Sequence, residues 1–81
     1  MDRLQIRQGV LDALLAIAPE VDAAALQDAQ PLRDQVDLDS MDWLNVLLGV
    51  HQRFAVEIPE SDYARLGTLA QIVDYVADRV R

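Results

Sequence analysis

Nowhere in this chain do apolar and polar residues alternate for the length of a strand, whereas three blocks repeat their apolar residues every three or four positions. Such a pattern gives helices to pack and no sheet to pack them on. The first block predicts a helix from Arg3 to about Ala18, with Leu4, Val10, Leu11, Leu14, Leu15 and Ala18 on a stripe that Ile6 and Ile17 widen. Asp2 stands where it can cap this helix, and Pro19 ends it. Gly9 weakens it by roughly 1 kcal/mol relative to alanine. The second block predicts a helix from Ser40 to about Phe54, with Asp39 as its N-cap and Asp42 in its first turn. The third begins at Thr68, which has capping-box spacing to Gln71. Its core stripe is Leu69, Ile72, Val73, Val76 and Val80, with Asp74, Asp78, Arg79 and Arg81 outside.

The connections are less regular. From Pro19 to Asp39 no long period exists, although Asp22 can cap a single turn through Ala23, Ala24, Ala25 and Leu26. Pro31, Leu32 and Val36 read as loop residues whose apolar ends tuck inward. A loop of this length in a small domain is usually functional or wraps the core. After a connector at Ala55, Val56, Glu57 and Ile58, Pro59 suits the first position of a short helix. Glu60 and Asp62 fall in its first turn, Tyr63, Ala64 and Leu66 form its apolar side, and Gly67 closes it. The expected fold is all-α: a small four-helix bundle of three main helices and one short one, with a long loop after the first, residues 1–81 forming one domain.

Charge narrows the function. Seven arginines and no lysine face fourteen acids, a net charge of −7. Nucleic acid needs clustered positive charge and is not an expected partner. No apolar run approaches the roughly 20 residues of a membrane span, and the N-terminus lacks the layout of a signal peptide. A cytoplasmic, monomeric protein is the expectation. There is no cysteine, so the chain has neither a disulfide nor thiol chemistry of its own.

Chemistry concentrates at Val36-Asp37-Leu38-Asp39-Ser40-Met41-Asp42. A serine in the first turn of a helix has its hydroxyl beside unpaired backbone amides, a setting that favours a phosphoryl group. Catalysis by Ser40 would need a base. The only histidine, His51, lies eleven residues along the same helix, roughly 16 Å away against the ~3 Å that proton transfer requires. A self-contained acyl-transfer enzyme is therefore excluded. A calcium loop from Asp37, Asp39 and Asp42 also fails, because Met41 occupies a ligand position and no closing glutamate follows. On spacing alone, the acids can equally be a helix cap and a solvated loop.

Leu38-Asp39-Ser40-Met41-Asp42 resembles the Asp-Ser-Leu/Met-Asp/Glu signature of acyl carrier proteins. Phe54-Ala55-Val56-Glu57-Ile58-Pro59-Glu60-Ser61-Asp62 is similar to the segment after that family's second helix. Leu66-Gly67-Thr68-Leu69 and Val73-Asp74-Tyr75-Val76 resemble its last helix. The resemblance covers nearly the whole chain. It implies that Ser40 receives a 4′-phosphopantetheine arm from coenzyme A through a magnesium-using phosphopantetheinyl transferase, with Asp39 and Asp42 as transferase contacts. It implies that the arm's thiol carries acyl cargo as thioesters between synthase, ligase or other acyl-transferring enzymes of a fatty-acid, polyketide or specialised lipid pathway. Leu38-Asp39 replaces the Gly-Gly-His/Asp of peptidyl carriers and favours the acyl type.

One departure stands out. The resemblance implies a strongly acidic exposed side on the helix after the serine, met by basic patches on partners. Here only Asp42 is acidic between Ser40 and Phe54. Trp43, Val46, Leu47, Val50 and Phe54 form one apolar arc, and Met41, Leu44 and Leu48 a second. The second arc either packs on the loop or the short helix, or serves partners by apolar contact. On the latter reading the partner face is Asp39, Met41, Asp42, Leu44, Asn45, Leu48, His51 and Gln52. A carrier-like domain that is never modified and acts as an interaction or regulatory subunit is the alternative function.

Overall fold

The computed structural model describes residues 1–80. It contains four α-helices, α1 (Arg3–Ile17), α2 (Leu32–Gln35), α3 (Ser40–Phe54) and α4 (Leu69–Arg79), and two 3₁₀ segments, Ala23–Ala25 and Glu60–Arg65. The three long helices stand where the apolar periods place them. The α1 cap is more complete than Asp2 alone: its side chain accepts from the Gln5 amide, and the Gln5 side chain accepts from the Asp2 amide.

Helix α1 packs on both α3 and α4. Its core side is Ile6, Val10, Leu11, Ala13 and Leu14, with Ala18 just beyond. Leu4 does not join the stripe and is 78% exposed. It shares the azimuth of buried Leu11 but lies two turns earlier, where no element covers it. Two glycines set the α1–α3 seam. A Cβ on Gly9 would collide with Cζ of Phe54, so the aromatic ring occupies the space the glycine leaves. A Cβ on Gly49 would stand 3.3 Å from the Ala13 Cβ. Position 9 thus faces 54 and position 13 faces 49, the falling register of antiparallel helices.

The long loop is a strap across one end of the bundle. Asp22 caps the Ala23–Ala25 turn through the Ala24 amide, as its position predicts. Leu32 and Val36 are buried, but Pro31 is exposed, and Leu32–Gln35 forms one α-helical turn where the sequence suggests only loop. Tertiary bonds fix that turn: the Leu32 amide donates to the Gly67 carbonyl at 2.8 Å, and the Ala70 amide donates to the Asp28 carbonyl at 3.0 Å. Arg7 grips the Asp28 carboxylate with two hydrogen bonds of 3.0 and 2.9 Å. Their strength holds the Asp28 carboxyl below its ordinary value, against a smaller opposing effect of burial.

Helix α3 stops at Ala55, which adopts a left-handed conformation at φ 53°. His51 Nδ1 lies 2.7 Å from the Val56 carbonyl oxygen, which places the proton on Nδ1 and fastens the turn. The short helix expected after Pro59 is the 3₁₀ segment, with Pro59 outside it as the N-cap residue and Ala64 exposed. Leu66 is its buried anchor. Tyr75 on α4 reaches it, the phenol oxygen lying 2.7 Å from Asp62 Oδ2 and 3.2 Å from the Glu57 carbonyl oxygen. Burial, with help from Asp62, pushes this phenol above its ordinary value. The Thr68–Gln71 capping box is formed. The core is wholly apolar among the described residues, with Leu32, Val46, Val50, Leu69 and Val76 fully buried.

Candidate functional site

Ser40 is the first residue of α3 and is exposed. The residues around it explain why it stays in place. Leu38, two positions before, and Trp43, three after, are both buried, so the turn is pinned on either side of the serine. Asp39 completes the turn: its Oδ1 accepts from the Asp42 amide at 2.8 Å, and its carbonyl accepts from the Trp43 amide at 2.9 Å. The amides of Ser40 and Met41 precede the first intrahelical bond and have no protein partner among the described residues. They offer donors to a phosphodiester on the serine oxygen, which carries a single negative charge and needs no basic cluster. The exposed hydroxyl, the two free amides and the absence of a native thiol all fit a phosphopantetheine group.

Sequence reading misses Arg33. Its guanidinium reaches over the loop to the Leu38 carbonyl at 3.4 Å, in the segment leading into Ser40. No motif flags it, because only the turn of α2 brings it there. His51 is not beside Ser40: it is in the last turns of the same helix and engaged with Val56.

Around α3 the exposed residues form one face. With Ser40 as origin and 100° per residue, His51, Leu44, Leu48, Met41, Gln52 and Asn45 follow within roughly 140°. Met41 is 67% exposed, Leu44 43% and Leu48 49%. The second apolar arc therefore lies largely on the surface, with Leu48 at the edge of the cleft that Tyr63 of the 3₁₀ segment also lines. His51 is half-buried at one edge of the face and Asp42 half-buried outside it, while Trp43 belongs to the core. Asp39 and Asp42 stand at the Ser40 end, and exposed Arg53 is the charged residue at the other.

Two clefts flank this face. One, of about 420 Å³, lies between α1 and α3 over Ala13, Ala16, Ile17, Leu48 and Gly49, rimmed by Asn45, Gln52 and Arg53. The other, of about 160 Å³, lies between α3 and the 3₁₀ segment, with Leu47, Ile58 and Tyr63 among its lining. The first was not legible in the sequence; Ala13, Ala16 and Gly49, with little or no side chain, are part of its lining. No helix among the described residues is long and apolar enough to cross a membrane.

Comparison with known proteins meets this geometry. The family described as "Phosphopantetheine attachment site" matches residues 9–76. The chain is similar to the acyl carrier protein of Acidothermus cellulolyticus, 31% identical over 89% of each chain. It is also similar to those of Rubrobacter xylanophilus, 27% identical over 96% of this chain and 95% of the other, and Chlorobium luteolum, 25% identical over 98% and 100%. The match spans α1 through α4 and includes the turn that holds the exposed serine. This chain belongs to the acyl carrier protein family, whose cofactor is covalently attached 4′-phosphopantetheine.

Proposed function

We propose that residues 1–81 are one carrier domain, monomeric and cytoplasmic, that is modified at Ser40 and shuttles acyl groups between enzymes without catalysing a reaction itself. The observation that carries this is Ser40: an exposed hydroxyl at the start of α3, between two buried anchors and next to two free amides. The attached group supplies the thiol that the chain lacks, on which acyl cargo is held as a thioester. Ser40 holds the group's phosphate, the Ser40 and Met41 amides orient it, and Asp39 and Asp42 present the turn to the transferase that modifies it.

The enzymes that load and unload the carrier meet Met41, Leu44, Asn45, Leu48, His51 and Gln52. Three of these six are exposed large apolar side chains and none is acidic. That composition supports partners which dock by apolar contact, in a dedicated acyl or specialised lipid system more than in general fatty-acid synthesis. The same uncovered apolar face supports the second reading, an unmodified interaction subunit.

Intact mass after incubation with coenzyme A, magnesium and a broad-specificity phosphopantetheinyl transferase separates the two. The carrier reading expects a gain of one phosphopantetheine that is lost in Ser40→Ala. No gain from a folded sample with several transferases would give precedence to the interaction subunit.

A further inference from the structure

Resting on attachment at Ser40, we infer that Arg33 binds the attached group: its guanidinium leaves the Leu38 carbonyl and grips the two non-bridging oxygens of the phosphodiester. The strap places this side chain. Leu32 before it and Val36 after it are buried, and the Leu32 amide is tied to the Gly67 carbonyl. The Gln35 side chain accepts from the Gln27 amide at 2.7 Å and donates to the Gln27 and Gln30 carbonyls at 2.9 and 3.0 Å. The backbone under Arg33 is thus held on both sides, while Arg33 itself is exposed.

The contact that the guanidinium makes now is weak. An Nη2 donor reaches the Leu38 carbonyl oxygen at 3.4 Å, near the limit of a hydrogen bond, and the other N–H donors are spare. Arg33 forms no ion pair among the described residues, although Asp34, Asp37 and Asp39 lie within six positions of it. It is also the only arginine between Arg7 and Arg53. A guanidinium that pairs with none of the neighbouring carboxylates is available to an anion of better geometry. A phosphodiester is such an anion: its two free oxygens match the guanidinium fork, and both bonds are charge-assisted.

The distance can be closed. Only Asp39 separates Leu38 from Ser40, so the Leu38 carbonyl oxygen is no more than about 7 Å from the Ser40 Cα. The guanidinium already stands at that oxygen. A phosphorus on the serine oxygen lies about 4 Å out from the same Cα. Rotation about the bonds of the arginine stem moves the guanidinium by several ångströms, enough to cover what remains. Charge calls for the same move. Attachment adds one negative charge to a turn that already carries Asp37, Asp39 and Asp42, and Arg33 is the cation that the strap brings to it. Held there, the phosphate anchors the root of the arm, and the direction in which the arm leaves Ser40 becomes a property of the strap.

The test is phosphorus NMR on the modified protein, the parent beside Arg33→Ala, Arg33→Gln and Arg33→Lys, each loaded from coenzyme A by a broad-specificity transferase. The expected result is a phosphodiester resonance in the parent displaced from its position in Arg33→Ala. Arg33→Lys, which keeps the charge without the fork, should restore part of the displacement. Arg33→Gln, which can still donate to Leu38 but has no charge, should restore none. In arginine-labelled protein the Arg33 Nε–H signal, assigned by its absence from the variants, should shift on attachment. A phosphorus resonance common to the parent and Arg33→Ala would overturn the proposal and leave attachment standing. So would an Arg33→Gln resonance equal to the parent's, since the side chain would then act only through the Leu38 carbonyl. No mass gain on a folded sample would remove attachment at Ser40 and this proposal with it.

Discussion

Asp39 and Gly9 show how much a single position carries. The Asp39 carboxylate both caps α3 through the Asp42 amide and presents charge beside Ser40. Asp39→Ala should cost about 1 kcal/mol of stability through the lost cap. Asp39→Asn keeps the accepting oxygen and should stay within a few tenths of that energy of the parent. Both should slow modification of Ser40 by about tenfold, the worth of one hydrogen bond to a charged group; stopped-flow or timed mass spectrometry on the pair separates cap from charge. Unchanged transfer in both would remove Asp39 from the transferase contact. Gly9 reads from the sequence as a plain helix weakness worth roughly 1 kcal/mol, which alanine should recover. The structure reverses the sign. The Phe54 ring fills the space where the Cβ would go, so Gly9→Ala should displace it and lose up to about 1 kcal/mol net. In a Phe54→Leu background the same substitution should become stabilising, as urea melts would show.

At the scale of elements, the three long helices were legible because each carries both a period and a cap: Asp2, Asp39 and Thr68 each stand one residue before the helix they open. The turn of α2 was not. Four residues contain no period, and Leu32–Gln35 is shaped by bonds to Gly67 and by burial of Leu32 against the rest of the core. For the same reason Ser40 stood out as the candidate site, while Arg33 and the α1–α3 groove depend on contacts between distant segments. Turns between elements give two predictions. Ala55 sits at φ 53° where α3 ends, a conformation that costs an L-residue about 1 kcal/mol, so Ala55→Gly should raise stability by roughly 0.5–1 kcal/mol in chemical denaturation. The Arg7–Asp28 clamp joins α1 to the strap, and its acid has a folded-state value below the ordinary 3.8. Its contribution is therefore full above the unfolded value and fades as pH falls through 3.8 toward the folded one. Both side chains are more than a third exposed, which limits the clamp to about 1 kcal/mol or less. Asp28→Asn should flatten that part of the acid limb when urea midpoints are followed from pH 6 to pH 2.5, and match the parent's loss only at the bottom of the range.

For the molecule as a whole, charge and burial pull in different directions. Seven excess negative charges sit on a body of only 31 × 26 × 21 Å. Self-repulsion at low ionic strength should therefore be felt, and added salt should relieve it. Raising sodium chloride from 20 mM to 500 mM should lift the thermal midpoint by a few degrees, about 1 kcal/mol for a domain of this size; a falling midpoint would contradict this. The sequence allowed two fates for the second apolar arc, and only packing could decide between them. Leu44 and Leu48 have the same period as the core residues beside them, and what differs is that the rest of the fold leaves them about half exposed.

The strap has a consequence for how the protein comes into being. Its two main-chain ties, Leu32 to Gly67 and Ala70 to Asp28, both end in the final quarter of the sequence. During synthesis, the serine-bearing turn leaves the ribosome well before the residues on which the strap is hung. Until Gly67 and Ala70 emerge, the strap lacks both of these ties, and α1 lacks one of its two neighbours. A chain cut before Gly67 would carry the serine motif in its sequence without the two ties on which the strap is hung.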